Sequence, residues 1–184
     1  MSKKVAVVTG YAGFIGCSFV TKLLEAGYYV YGIDKISYYS DLDPIDKALI
    51  TYQDRLTCIE EDITKVDWLP ECDVVFNLAA ESDVDKSNQN SAQFIQSNIE
   101  GVRNLLNIIN NRIVIRADKP LFFQVSTDEV YGDTMNGSYN ESQTLTPSNP
   151  YAATKAAADL LIQSWARSHG LEYIIARPSN NYGP

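Results

Sequence analysis

Two groups of residues in this 184-residue chain carry side chains able to do chemistry together. Thr127, Asp128 and Glu129 stand at the end of the apolar run Leu121 to Val125, after Ser126. A hydroxyl beside two acids can divide the work of a general acid and a general base, provided burial and like-charge repulsion raise the pKa of one acid above the other. The same trio also makes a good turn and helix cap. The second group is Tyr151 and Lys155, spaced i and i+4 so that both project from one helical face. A tyrosine with a reference pKa of about 10 needs its anion stabilised by about 4 kcal/mol to act as a base near neutrality. One ammonium about 4 Å away supplies on the order of 4 kcal/mol at an effective dielectric near 20, so Lys155 is expected to make Tyr151 a base. Tyrosine and lysine at this spacing are also common on helices with no such role.

The elements that position these groups alternate strand and helix. Lys4 to Thr9 reads as a first strand, and Gly10, Gly13 and Gly16 open a helix that ends near Gly27. This G-x-x-G-x-x-G run lets backbone N–H groups approach a pyrophosphate at a helix N-terminus. Tyr29 to Ile33 is a second strand stopping at Asp34, an acid placed to accept hydrogen bonds from an adenosine ribose and to repel a 2′-phosphate. NAD is therefore expected over NADP, with the neighbouring Lys35 as a cation that could soften the choice. An oxidised nicotinamide would add its own positive charge to that of Lys155. Further strands are read at Leu56 to Glu60, Val74 to Asn77, Leu121 to Val125 and Tyr173 to Ala176, with Leu78-Ala79-Ala80 extending the fourth. Tyr38 to Pro44 reads as a polar, turn-rich loop, and 133–149 as a surface loop. Phe94, Ile95, Ile99, Val102, Leu105, Leu106 and Ile109 recur at helical spacing, and most of that stripe is expected to pack in the core. Pro150 suits the first turn of a helix running to about Ser168 and stopped by Gly170. The pattern is that of an α/β doubly wound parallel sheet, a Rossmann fold over 1–184.

Composition narrows the partners. A net charge of −8 argues against nucleic acid or an anionic membrane surface, and no apolar stretch is long enough to span a bilayer. Cys17, Cys58 and Cys72 suggest neither a zinc site nor a disulfide framework, which fits a reducing cytoplasm. His169, the one histidine, sits at a helix end and is given no catalytic role.

T-G-Y-A-G-F-I-G at 9–16, Asp34-Lys35, Asp62-Ile63, L-A-A-E-S at 78–82, V-S-T-D-E-V-Y-G at 125–132, P-Y-A-A-T-K at 150–155 and R-P-S-N-N-Y-G-P at 177–184 together resemble the extended short-chain dehydrogenase/reductase superfamily. Within it they are most similar to nucleotide-sugar 4,6-dehydratases of the dTDP-glucose 4,6-dehydratase type. The resemblance implies that Tyr151 takes the C4 hydroxyl proton, Glu129 removes the C5 proton, Asp128 protonates the departing C6 hydroxyl, and Thr127 holds the C4 oxygen. It implies cofactor contacts at Phe14, Ile15, Asp34, Lys35, Ser37, Asp62, Ile63, Leu78, Ala79, Ala80, Ser97, Tyr151, Lys155 and Asn181, beside the glycines, and nucleotide-sugar contacts at Ser82 and Asn180. It further implies a homodimer built on the helices near 92–110 and 150–168. Asp83 stands where the family usually has His. The chain stops at Pro184, where the family continues into a portion that binds the substrate's nucleotide. Binding of NAD with weak or no binding of the nucleotide sugar is accordingly expected of these 184 residues, with the last strand near an unpaired sheet edge. A nucleotide-sugar 4-epimerase and a non-catalytic NAD-binding module are the alternatives.

Overall fold

The structure is a computed structural model that describes residues 3–115, 120–134 and 137–183, the side chains of 112–115 excepted. Six short strands rich in Val, Ile and aromatic residues form one parallel sheet: Val5–Thr9 (β1), Tyr29–Asp34 (β2), Leu56–Glu60 (β3), Val74–Asn77 (β4), Leu121–Val125 (β5) and Tyr173–Ala176 (β6). Their order is β3-β2-β1-β4-β5-β6. The chain leaves the β3 edge and returns beside β1 as β4, so strand order reverses between β1 and β4, where ligands of such sheets sit.

Both faces are covered because successive side chains point to opposite sides of a strand. Val7 joins Ile33, Val75 and Phe122 in a core with Leu105, Leu106, Ile109 and Ile162. Ala6 and Val8 face the other way, into a core with Val20, Leu24, Ile45 and Leu56. Phe14–Glu25 (α1) and Asp43–Thr51 (α2) cover this second face.

Two helices were not expected from the sequence, the first of them starting at the end of the stretch read as a loop. At α2 the apparent turn residues start a helix, with Pro44 in its first turn, Asp43 and Asp46 at its positive end, and Ile45 and Ala48 buried. Val84–Gln89 (α3) is capped by Asp83, whose Oδ1 accepts from the Lys86 backbone N–H at 3.0 Å. The residue that departs from the family pattern is therefore a helix cap here.

The segment expected as one regular helix is interrupted. Ala92–Phe94 (α4) leads into a π-helical turn, Ile95–Glu100, before Gly101–Ile115 (α5), and the Gly101 N–H donates to Gln96 O, five residues back. The extra residue shifts the helical phase. Ile95, at the start of the apolar stripe, is 47% exposed, while Asn98 turns inward at 1%. The last helix, Pro150–His169 (α6), begins at an Asn149 cap and ends at Gly170, φ 68°. β6 lies at one edge of the sheet, paired with β5. No helix among the described residues is long and apolar enough to cross a membrane.

Candidate active site

Across the carboxyl ends of the strands, Thr9, Asn77 and Gln124 form a buried polar row. Thr9 Oγ1 donates to Asn77 Oδ1 at 2.5 Å, and Asn77 Nδ2 donates to Gln124 Oε1 at 2.7 Å. All three are essentially sealed from solvent, so the row ties the tips of β1, β4 and β5 into a rigid floor. Above it lies a cleft of about 680 Å³. The row was not expected from sequence; its one signal is a polar residue at or next to the end of each of three otherwise apolar strands.

The glycine turn forms one wall of the cleft. Gly10 has φ 70°, and a Cβ there would meet Ala79 N at 2.7 Å, while a Cβ on Gly16 would meet Gly10 O at 2.0 Å. Both glycines therefore let α1 and β4 approach the turn closely. The first turn of α1 leaves Phe14 and Ile15 exposed over the cleft. Asp34 is fixed by two backbone donors, Ala12 N–H at 3.1 Å and Ile36 N–H at 2.9 Å. The second contact requires Ile36 at φ 45°, an uncommon conformation for a β-branched residue and a local strain. One lone pair on each Asp34 oxygen remains for a further donor.

The expected cofactor residues all line this cleft: Gly10, Gly13, Phe14, Ile15, Gly16, Asp34, Lys35, Ser37, Asp62, Ile63, Leu78, Ala79, Ala80, Ser97, Tyr151, Lys155 and Asn181. Ser82, Asn180, Thr127 and Glu129 line it as well. Asp128 is the exception. The chain makes a 3₁₀ turn over Asp128–Tyr131, in which successive side chains diverge by about 120°. Asp128 is thereby exposed and lines a neighbouring cavity of about 780 Å³, while Glu129 borders both. The two acids therefore share the neighbouring cavity, and Glu129 alone of the pair also lines the cleft of the glycine turn.

Thr127 caps that turn, its Oγ1 accepting from the Glu129 N–H at 3.2 Å. Glu129 is oriented from the other side by Asn149, whose Nδ2 donates to Glu129 Oε2 at 2.9 Å while its Oδ1 caps α6. Gly132, at φ 84°, ends the turn so closely under Thr146 that a Cβ would meet Thr146 O at 2.2 Å.

Tyr151 lies in the first turn of α6 with its phenol buried, its ring edge-on to Phe94 and its backbone N–H donating to Ser87 Oγ at 3.2 Å. Burial first, then the Glu129 charge, raise its pKa, while hydrogen bonding to Thr127 draws it down. Lys155 is buried, and its Nζ donates to Val125 O at 2.7 Å. Burial lowers its pKa to about 8, against the pull of Asp159. The expectation that Tyr151 is a base rests on Lys155 together with an oxidised nicotinamide. Within the chain itself the Lys155 ammonium rests on a carbonyl, and burial and the Glu129 charge favour the protonated phenol.

Two buried supports were missed. Asn98, turned inward by the π-helical turn, accepts from Glu81 N–H and donates to Glu81 O, each at 2.9 Å, and donates to Thr154 Oγ1 at 2.9 Å. Asp159, one turn beyond Lys155, pairs with Arg177 Nε at 2.9 Å, and Arg177 donates to Tyr131 Oη at 2.8 Å. Burial raises the Asp159 pKa against Arg177. The buried Ser126 hydroxyl lies near enough to favour that carboxylate but makes no well-directed hydrogen bond.

A parallel sheet of this order, a glycine turn at the β1–α1 junction and an acid closing β2 define a Rossmann-fold protein. The chain belongs to the GDP-mannose 4,6-dehydratase family, whose model matches residues 7–184. It is 39% identical to the low-salt glycan biosynthesis protein Agl12 of Haloferax volcanii, over 97% of this chain and 57% of that protein. It is 36% identical to a dTDP-glucose 4,6-dehydratase of Streptomyces niveus, over 97% of this chain and 54% of the relative. Among solved structures, DesIV, a dTDP-glucose 4,6-dehydratase of Streptomyces venezuelae with NAD and TYD bound, superposes with a TM-score of 0.86 at 35% identity, covering 98% of this chain and 57% of DesIV. A UDP-N-acetylglucosamine 4-epimerase of Methanobrevibacter ruminantium M1 gives 0.84 at 32% identity, covering 96% and 55%. The chain spans about half the length of the relatives it matches.

Proposed function

We propose that this chain is the NAD-binding, catalytic-residue-bearing part of a nucleotide-sugar 4,6-dehydratase acting on a dTDP- or UDP-glucose. The observation that carries the reading is that Thr127, Glu129, Tyr151 and Lys155 line the same cleft as the glycine turn and Asp34. The donor set suits a dinucleotide. Backbone N–H groups at the start of α1 face the place of a pyrophosphate, Asp34 keeps acceptor capacity for a ribose, and the small Ala79 and Ala80 leave room for a ring. Lys155 would hold the nicotinamide ribose. When bound, NAD would supply the hydride acceptor and donor and the cationic charge that helps Tyr151 lose its proton.

The residues then divide the work. Thr127 holds the sugar C4 oxygen against Tyr151, which accepts the C4 hydroxyl proton. Glu129, fixed by Asn149, takes the C5 proton made acidic by the C4 ketone. Asp128, next to Glu129 in the neighbouring cavity, gives its proton to the departing C6 hydroxyl, and water leaves. Ser82 and Asn180 contact the nucleotide sugar. The same reading places the protein in the cytoplasm as a homodimer, in keeping with the exposed apolar Ile95 and Leu160 on the helical elements that would pair.

A 4-epimerase, the reading favoured by the similarity to the Methanobrevibacter enzyme, needs no acid to remove the C5 proton. The two are separated by incubating the chain and its Glu129→Gln variant with NAD and saturating nucleotide-glucose. A dehydratase forms a 4-keto-6-deoxy sugar, and its variant accumulates reduced dinucleotide without that product. Formation of the 4-epimer by both proteins would establish the epimerase instead, and no turnover by either would leave a binding module.

A further inference from the structure

The cleft is lined by Asp34, Glu61, Asp62, Glu81, Asp83 and Glu129 and by three lysines, Lys35, Lys86 and Lys155. Each lysine is engaged. Lys155 is buried on Val125 O. Lys86 reaches Tyr39 Oη and lies 3.4 Å from Asp83. Lys35, next to the ribose-facing Asp34, donates to Glu81 Oε1 at 2.6 Å. That short, charge-assisted contact crosses from the end of β2 to the segment after β4. Its acid is anchored, because both backbone polar groups of Glu81 are hydrogen-bonded to the buried Asn98.

The position of Lys35 matters for cofactor choice. A 2′-phosphate brings about two negative charges to a place already occupied by Asp34, and a free ammonium one residue away is the group that would relieve the repulsion. We infer that Glu81 is a specificity-determining residue: by holding the Lys35 ammonium across the cleft mouth, it leaves Asp34 unopposed at the adenosine ribose and excludes NADP. The inference rests on the NAD-binding reading above. Asp34 supplies the repulsion, and Glu81 prevents its neutralisation.

The test is a titration of the 184-residue chain with NAD and with NADP, in the wild type, Glu81→Gln, Lys35→Ala and the double variant. The Lys35 and Glu81 side chains are 43% and 27% exposed, so their loss is expected to leave the fold intact, which a thermal melt checks. In Glu81→Gln the affinity for NADP relative to NAD is expected to rise about fivefold, the upper range for one partly exposed charge pair. The double variant is expected to lose that gain. An unchanged ratio in Glu81→Gln overturns the inference, and so does a gain that persists without Lys35. A wild type that binds neither dinucleotide overturns the cofactor reading itself, a result distinct from either.

Discussion

Lys155 is the residue whose surroundings change the chemistry most. Sequence spacing places an ammonium four residues from Tyr151, but only the coordinates show it desolvated and hydrogen-bonded to Val125 O. Its pKa falls from 10.5 to about 8. Because the folded value is the lower one, the unfolded chain holds the extra proton between these limits, and stability at this site rises with pH across that window. Below about pH 8 the buried charge costs on the order of 3 kcal/mol, and the cost fades towards pH 10.5. Lys155→Met is therefore expected to be more stable than the wild type at pH 7, less whatever the lost hydrogen bond contributes, with the difference shrinking as pH rises. Urea denaturation at a series of pH values measures it, and a difference independent of pH would contradict the assignment. Asp128 and Glu129 teach a related lesson. Adjacent residues in a 3₁₀ turn face different ways, so of two neighbouring acids that share one cavity only Glu129 also reaches the cleft of the glycine turn.

At the scale of elements, α6 carries Tyr151, Lys155 and Asp159 on successive turns, and the Arg177 guanidinium clamps the last of these to Tyr131. Asp159 is fully buried, so Arg177→Met strands an unpaired carboxylate, a change that costs about 3–5 kcal/mol. The double variant Asp159→Leu/Arg177→Met is expected to recover most of that loss, as read from urea midpoints. If the single and double variants were equally unstable, the pair would not be acting as a unit. All six strands were legible in the sequence because each is a short, largely apolar run followed by polar or turn-forming residues. The helices α2 and α3 were not, since Asp43-Pro44 and Asp83 are turn residues that here serve as helix starts. The π-helical turn was hidden for a different reason. Phe94, Val102, Leu105, Leu106 and Ile109 satisfy a regular helix, and only the polar Asn98 inside that stripe hints at the phase shift. The candidate site was legible as a set of residues, all but Asp128 lining one cleft, because strand ends and helix starts in a parallel sheet share one side. Its supports, Asn98, Asn149, Asp159 and Arg177, depend on contacts distant in sequence, which spacing cannot reveal.

For the whole molecule, the two cores either side of the sheet make a rigid base, and the buried Thr9–Asn77–Gln124 row fixes the strand tips under the cleft. That base lets a strained turn at Ile36 and a desolvated Lys155 persist at opposite ends of one groove. Tyr173 and Ile174 of the edge strand β6 are 38% and 46% exposed, and the chain covers 54–57% of the first relatives it resembles. The central claim concerns one groove that spans from ribose to phenol. A crystal structure of the chain with NAD tests it most directly. The account predicts the adenosine ribose on Asp34, the pyrophosphate on the N–H groups that open α1, and the nicotinamide between Thr127 and Tyr151 with its ribose on Lys155. NAD bound in the reverse direction, or in the cavity beside Asp128 and Tyr139, would contradict it.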